Sequence, residues 1–110
     1  MSRQPIDVFP ARTVLARTRG LIFMPALPPC SAMHIKPCWC VHTGLLWSPI
    51  DIVFLDIENR ILKITESVPP WRIAGRKGAA SVLEFSKGDA RRLQLTVGDT
   101  LLLADRHARR

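Results

Sequence analysis

Beyond residue 50 the apolar side chains come in short runs broken by turn-forming residues, not at helical spacing. In "DIVFLDI" and "RILKITES" branched and aromatic residues dominate, and "ENR" between them can reverse the chain, with Asn59 suited to a left-handed backbone; the pair predicts a β-hairpin. "ASVLEFS" predicts a further strand, "KGDARRLQL" a short helix opened by Gly88 and Asp89, and "VGDTLLL" a turn followed by a last strand. Upstream the period changes. Val14, Leu15, Thr18, Leu21 and Ile22 share one arc of a helical wheel and Arg12 and Arg19 lie opposite, which predicts an amphipathic helix over about residues 11–23, weakened by Gly20 and ended by Pro25. "PALPPCS" then reads as a proline-rich turn. The expected class is mainly β (α+β): a small β-barrel-like or strongly curved antiparallel sheet with one or two short helices, because closing the sheet removes exposed edges.

With 110 residues and 47% hydrophobic content, the chain can bury one core and not two. No repeat or linker divides it, so a single domain is expected over residues 8–104, with residues 1–7 an N-terminal extension and 105–110 a basic tail. The N-terminus lacks the apolar run of a signal peptide and no stretch approaches 18 uninterrupted apolar residues, so a cytoplasmic protein without a membrane span is expected. Three cysteines cannot all pair within one chain, and an unexported chain keeps them reduced. A net charge of +7 raises the question of a polyanionic partner. However, no basic run exceeds two residues, tyrosine is absent, and the aromatics do not interleave with Arg or Lys along the sequence as a base-stacking surface requires. Nucleic acid is therefore the less favoured partner, and a generic basic surface the plainer reading.

The order Arg-Gly-Leu (19–21), Val-His-Thr (41–43), Pro-Ile-Asp (49–51), "VFLD" (53–56), "PPWR" (69–72), "VLEF" (82–85) and Gly-Asp (98–99) resembles the prokaryotic family known as domain of unknown function 192. The resemblance covers roughly residues 8–104 and rests on the order and spacing of these short motifs. It implies a compact β-barrel-like domain with short helices, and no activity, cofactor or substrate to carry over. The segment Thr43 to Ser48 keeps the family's length but not its residues, and Met24 stands where the family often has arginine, so any pocket lined there would have its own preference.

"HIKPCWCVH" (34–42) is the stretch most suggestive of a metal. On a strand, Cys38, Cys40 and His42 would leave one face, with His34 or Cys30 completing a tetrahedral zinc site. The spacing is not that of a zinc finger or ribbon, and the family pattern usually has serine at position 40. Reduced cysteines buried as small apolar residues explain the stretch without a metal, so no cofactor is expected.

Asp51 sits in a strand apolar on both faces, with Val53 and Leu55 beside it and Ile50, Ile52 and Phe54 opposite. A carboxylate there must be hydrogen-bonded, paired or at a cavity mouth. The structural reading has Asp51 accepting amides of the preceding turn, or bonding Thr43 or His42; the functional one has it facing a ligand. Glu84, with Val82 on one face of "SVLEF", either faces solvent or converges with Asp51 and His42 on an acid–base pocket. Trp71 and Arg72, after Pro69 and Pro70, either present an aromatic ring and a guanidinium to a sugar or anion, or plug the end of a barrel. "GRKG" lacks the context of a phosphate-binding loop, and there is no nucleophile elbow. These features place a binding module ahead of an enzyme. His42, Thr43, Asp51, Arg72 and Glu84 are its candidate contacts, and its ligand is a saccharide, another small polar molecule, or a protein partner. The alternatives are a metal-dependent enzyme using Cys38, Cys40 and His42, and a nucleic-acid-binding protein.

Overall fold

A computed structural model describes residues 4–11, 28–43 and 49–106. Their strands are β1 (Ile6–Ala11), β2 (Ala32–Ile35), β3 (Cys40–His42), β4 (Ile50–Leu55), β5 (Ile61–Val68), β6 (Ile73–Gly75), β7 (Ser81–Ser86) and β8 (Leu103–Asp105), with one short helix, α1 (Asp89–Arg92). Six strands form a mixed sheet in the order β5-β4-β7-β2-β1-β8, and β3 pairs with β6 as a separate two-stranded ribbon.

The expected hairpin is β4–β5. Its turn is held by Asp56, whose carboxylate accepts the amides of Glu58 and Arg60, while Asn59 takes the expected left-handed backbone. The wholly antiparallel sheet is corrected: β1 runs parallel to both neighbours, β2 and β8. A parallel neighbour requires a long connection, and residues 12–31 separate β1 from β2 in the sequence. Ala11, the expected start of a helix, is the last residue of β1, and the rest of that predicted helix lies outside the described residues. Ile6 and Asp7, assigned from sequence to an N-terminal extension, open β1, where Ile6 is buried; Asp105, assigned to the tail, ends β8.

The alternation in β4 sorts the core into two layers. Val53 and Leu55 pack with Ile6, Val8, Leu83, Phe85 and Leu101 on one face. Ile50, Ile52 and Phe54 pack on the other with Val82, Val68 and Ala74, against the inward side chains of the ribbon. Every residue of β4 is consequently buried, as a strand apolar on both faces requires. On that second face Met33 and Ile35 of β2 meet Cys38 and Val41, which also touch the β4 layer. The ribbon is thus a roof across one face of the sheet.

Candidate functional site

β4 and β5 fall out of register between Ile50 and Ile52, where Val68 and Thr65 are the flanking partners, so Glu66 and Ser67 both oppose Asp51. This bulge puts Ser67 in the left-handed region at φ 53 and takes its amide out of the ladder. The Asp51 carboxylate accepts that amide at 2.8 Å. Its other oxygen accepts the amides of Gly88 and Ala90, each at 3.0 Å, where α1 begins after β7. Because β4 lies between β5 and β7, one carboxylate mends the bulge on one side and caps the helix on the other. Asp51 is 0% exposed and its oxygens face protein amides. A local hydrogen-bonding role is what the structural reading requires, but the donors come from β5 and α1 and not from the preceding turn, Thr43 or His42.

Asp89 extends this tie. It is buried, accepts the Cys30 amide at 3.0 Å and the Arg92 guanidinium at 2.6 Å, and so fastens the proline-rich turn to α1. Sequence reasoning read Asp89 only as a helix opener.

Glu84 opposes Ile52 on β4 and Met33 on β2. It is 5% exposed, so the solvent-facing reading is corrected: β7 is covered on both faces. Burial raises its carboxyl pKa to about 7. Since Asp51 opposes Phe85 and Glu84 opposes Ile52, the two carboxylates leave opposite faces of the sheet. His42 is exposed on the ribbon. The convergence of Glu84, Asp51 and His42 is therefore absent, and with it the acid–base pocket.

The cysteine segment does not form one strand. The chain bends at Lys36 and Pro37, and β3 begins only at Cys40. Cys38 packs inward with Val41, whereas Cys40 and His42 are exposed. His34 leaves the face of β2 opposite to Met33 and Ile35, away from Cys38, and Cys30 lies beside Asp89. The three cysteines form no disulfide, and the described residues hold no cluster of three His, Cys, Asp or Glu arranged for a metal. Burial lowers the pKa of His34, Lys36 lowers it further, and Asp105 opposes them.

Thr43 organises the remaining candidates. It is fully buried; its amide donates to Arg72 O at 2.8 Å and its carbonyl accepts the Trp71 amide at 3.1 Å. Its hydroxyl donates to Pro69 O at 2.6 Å and accepts the Arg72 amide at 2.9 Å. One residue thus clamps residues 69–72, and its hydroxyl is committed inside the protein. Above the clamp Trp71 adopts φ 65, a backbone costly for a bulky side chain, and leaves its indole 73% exposed. The barrel-plug reading of Trp71 is corrected. Arg72 is exposed beside it.

The ribbon register, Cys40 to Gly75 and His42 to Ile73, sets these four positions on its outer face while Val41 and Ala74 turn inward. Ile73 is 77% exposed. At the far end Trp39, 56% exposed, accepts the Arg76 amide through its carbonyl at 2.9 Å. Sequence reasoning missed Trp39 and Ile73; the available signal was an apolar residue in or beside each short strand with lysines and arginines nearby in the chain.

A mixed sheet with one face roofed by a two-stranded ribbon is the class this geometry defines. The chain belongs to the domain of unknown function 192 family, described as "Uncharacterized ACR", whose model matches residues 1–103. It is similar to a UPF0127 protein of Pyrococcus abyssi, 35% identical over 60 residues, a stretch that is 54% of this chain; the match spans only 50% of that relative's length. Among solved structures it resembles a protein of unknown function from Novosphingobium aromaticivorans, with a TM-score of 0.71 and 26% identity over 83% of this chain and 70% of that one. A putative transcription regulator from Sinorhizobium meliloti shares the fold, with a TM-score of 0.74 and 24% identity over 84% of this chain and 78% of that one.

Proposed function

We propose that this domain is a binding module whose contact surface is the outer face of the β3–β6 ribbon together with residues 69–72. The observation that carries the reading is Trp71: a bulky residue in left-handed backbone, exposed, and held there by Thr43 through both its backbone and its hydroxyl. Backbone strain of this kind costs about 1–3 kcal/mol and persists only where the surroundings over-determine it. The ligand it fits is a polar molecule that offers a ring face to the indole and an anionic group to Arg72. His42 supplies a hydrogen bond between the two ends of the face. Thr43 positions the loop without touching the ligand, and Asp51 and Glu84 support the sheet beneath.

Two expectations belong with this reading. The sheet is read as barrel-like in curvature, supported by the amides of Ile61, Gly98 and Leu101, which donate to Asp99, Ile61 and Asn59 and draw its outermost strands together at one end. A cytoplasmic setting is supported by three cysteines kept as thiols. Among the described residues no helix is long and apolar enough to cross a membrane.

The test is tryptophan fluorescence during titration with tetragalacturonate, which carries both ring faces and carboxylates. Wild type is expected to saturate, Trp71→Ala to lose the response, and Arg72→Gln to bind more weakly. Saturation that survives both substitutions would remove the ribbon face from the proposal.

A further inference from the structure

The roof differs in charge from the chain as a whole. From Pro28 to Thr43, and again from Ser67 to Leu83, there is no aspartate or glutamate, while Lys36, Arg72, Arg76 and Lys77 are all exposed. These stretches contain both ribbon strands and the turns at each end. The two exposed indoles flank the ribbon, outside its strands and at opposite ends. Trp39 precedes β3 and Trp71 is bonded to Thr43 just after it, so the ribbon between them is about 14 Å long at the usual strand rise. Each tryptophan has an arginine as a chain or ribbon neighbour: Arg72 follows Trp71, and the Arg76 amide donates to the Trp39 carbonyl across the ribbon. The sequence does not interleave aromatic and basic residues. The ribbon pairing does.

We propose that the outer face of the ribbon binds single-stranded nucleic acid. The inference rests on that face being the contact surface and names its partner. A basic, acid-free strip tracks a phosphate backbone, and exposed aromatic rings stack on bases without selecting sequence. Two rings separated by a few nucleotides' length, on a strip that also exposes Lys36, Arg72, Arg76 and Lys77, supply both requirements. Stacking needs a base whose face is uncovered, which a duplex does not offer. An anionic membrane surface would also attract the cations, but it calls for contiguous apolar side chains, and here the exposed Ile73 shares the face between the indoles with Cys40, His42 and Gly75.

The experiment measures fluorescence anisotropy of a dye-labelled oligodeoxyuridine of about eight nucleotides, a length within the range one small β domain covers. Wild type is expected to bind, with affinity falling as salt rises. Trp39→Ala and Trp71→Ala should each weaken binding about fivefold to 150-fold, the loss of one stacked base. Trp71→Phe keeps an aromatic ring and should retain most of the affinity; it also serves if the alanine variant fails to fold. Arg72→Gln with Arg76→Gln should flatten the salt dependence. Salt-dependent binding indifferent to both tryptophans would overturn the inference in favour of a general basic surface. Tryptophan-dependent capture by phosphatidylcholine–phosphatidylglycerol vesicles, with no oligonucleotide bound, would overturn it in favour of a membrane. If the oligonucleotide fails while tetragalacturonate still binds through Trp71 and Arg72, the nucleic-acid inference falls and the contact surface stands. If neither binds, both fall.

Discussion

Removing the Asp51 carboxylate should cost more stability than its single position implies. Three amide donors converge on it, from Ser67, Gly88 and Ala90, and none gains another acceptor when the side chain is cut to alanine. Their fates differ. Ala90 is 1% exposed, so its amide would lose the bond without reaching water, at about 2 kcal/mol. Ser67 is exposed and Gly88 half-buried, so water partly replaces the carboxylate there, at about 1 kcal/mol each. Asp51→Ala should therefore lose about 4 kcal/mol, a large share of the 5–15 kcal/mol typical of a domain. Asp51→Asn keeps the shape but has one carbonyl oxygen. Turned towards Gly88 and Ala90, it leaves its amide group against the Ser67 N–H, for a loss of about 2 kcal/mol. Urea unfolding reads both losses: at a slope of about 2 kcal/mol per molar, alanine should lower the midpoint by about 2 M and asparagine by about 1 M. Hydrogen exchange on the asparagine variant should show the Ser67 amide losing protection first. A loss under about 1 kcal/mol for alanine would refute the reasoning, because three amides would then be satisfied without the carboxylate.

Thr43→Val preserves volume but removes the hydroxyl that serves Pro69 and Arg72, and should cost about 1–2 kcal/mol by thermal or urea unfolding. The same variant should weaken ligand binding, with Thr43→Ser restoring it, if the clamp sets the Trp71 conformation. Glu84 has a folded pKa of about 7 against 4.5 for an unperturbed carboxyl, so the folded state holds its proton more tightly. Its contribution is intact below pH 4.5 and is lost as pH rises through 7, and ionisation then costs up to about 3 kcal/mol. Glu84→Gln should accordingly match wild type near pH 4.5 and be more stable than wild type at pH 8; equal stability at both would show that the carboxylate is paired. His34 has the opposite sign. Its lowered pKa makes the neutral form the folded one, so stability falls as pH drops below 6.5, and His34→Gln should remove part of that acid sensitivity in urea midpoints measured from pH 7 to 5.

Local patterns carried most of the readable structure. The β4–β5 hairpin, its left-handed Asn59, the strand β7 and the opening of α1 at Asp89 follow from alternation and turn residues within a few positions of each other. β1 was hidden because "IDVFPA" mixes Asp7 and Pro10 into a short run, and its burial depends on β2 and β8, the latter almost the whole chain away. No local signal encodes that pairing, nor the parallel direction it imposes. Cys38 and Cys40 were read as neighbours on one face because alternation was extended through Pro37, where the strand has not yet begun. The need of Asp51 for hydrogen bonds was legible from its apolar neighbours; its donors were not, since they depend on a bulge in β5 and on α1 beyond β7. Arg72 and His42 became candidates by residue type, while Trp39 comes near them only through the ribbon pairing of its carbonyl with the Arg76 amide.

The claim that the ribbon's outer face is the contact surface is tested most directly by amide chemical shifts of isotope-labelled protein during titration with tetragalacturonate. The account predicts perturbations confined to residues 39–43 and 69–76, with Trp71 and Arg72 moving most. Perturbations centred instead on the opposite face of the sheet, around α1 and residues 97–102, would contradict it.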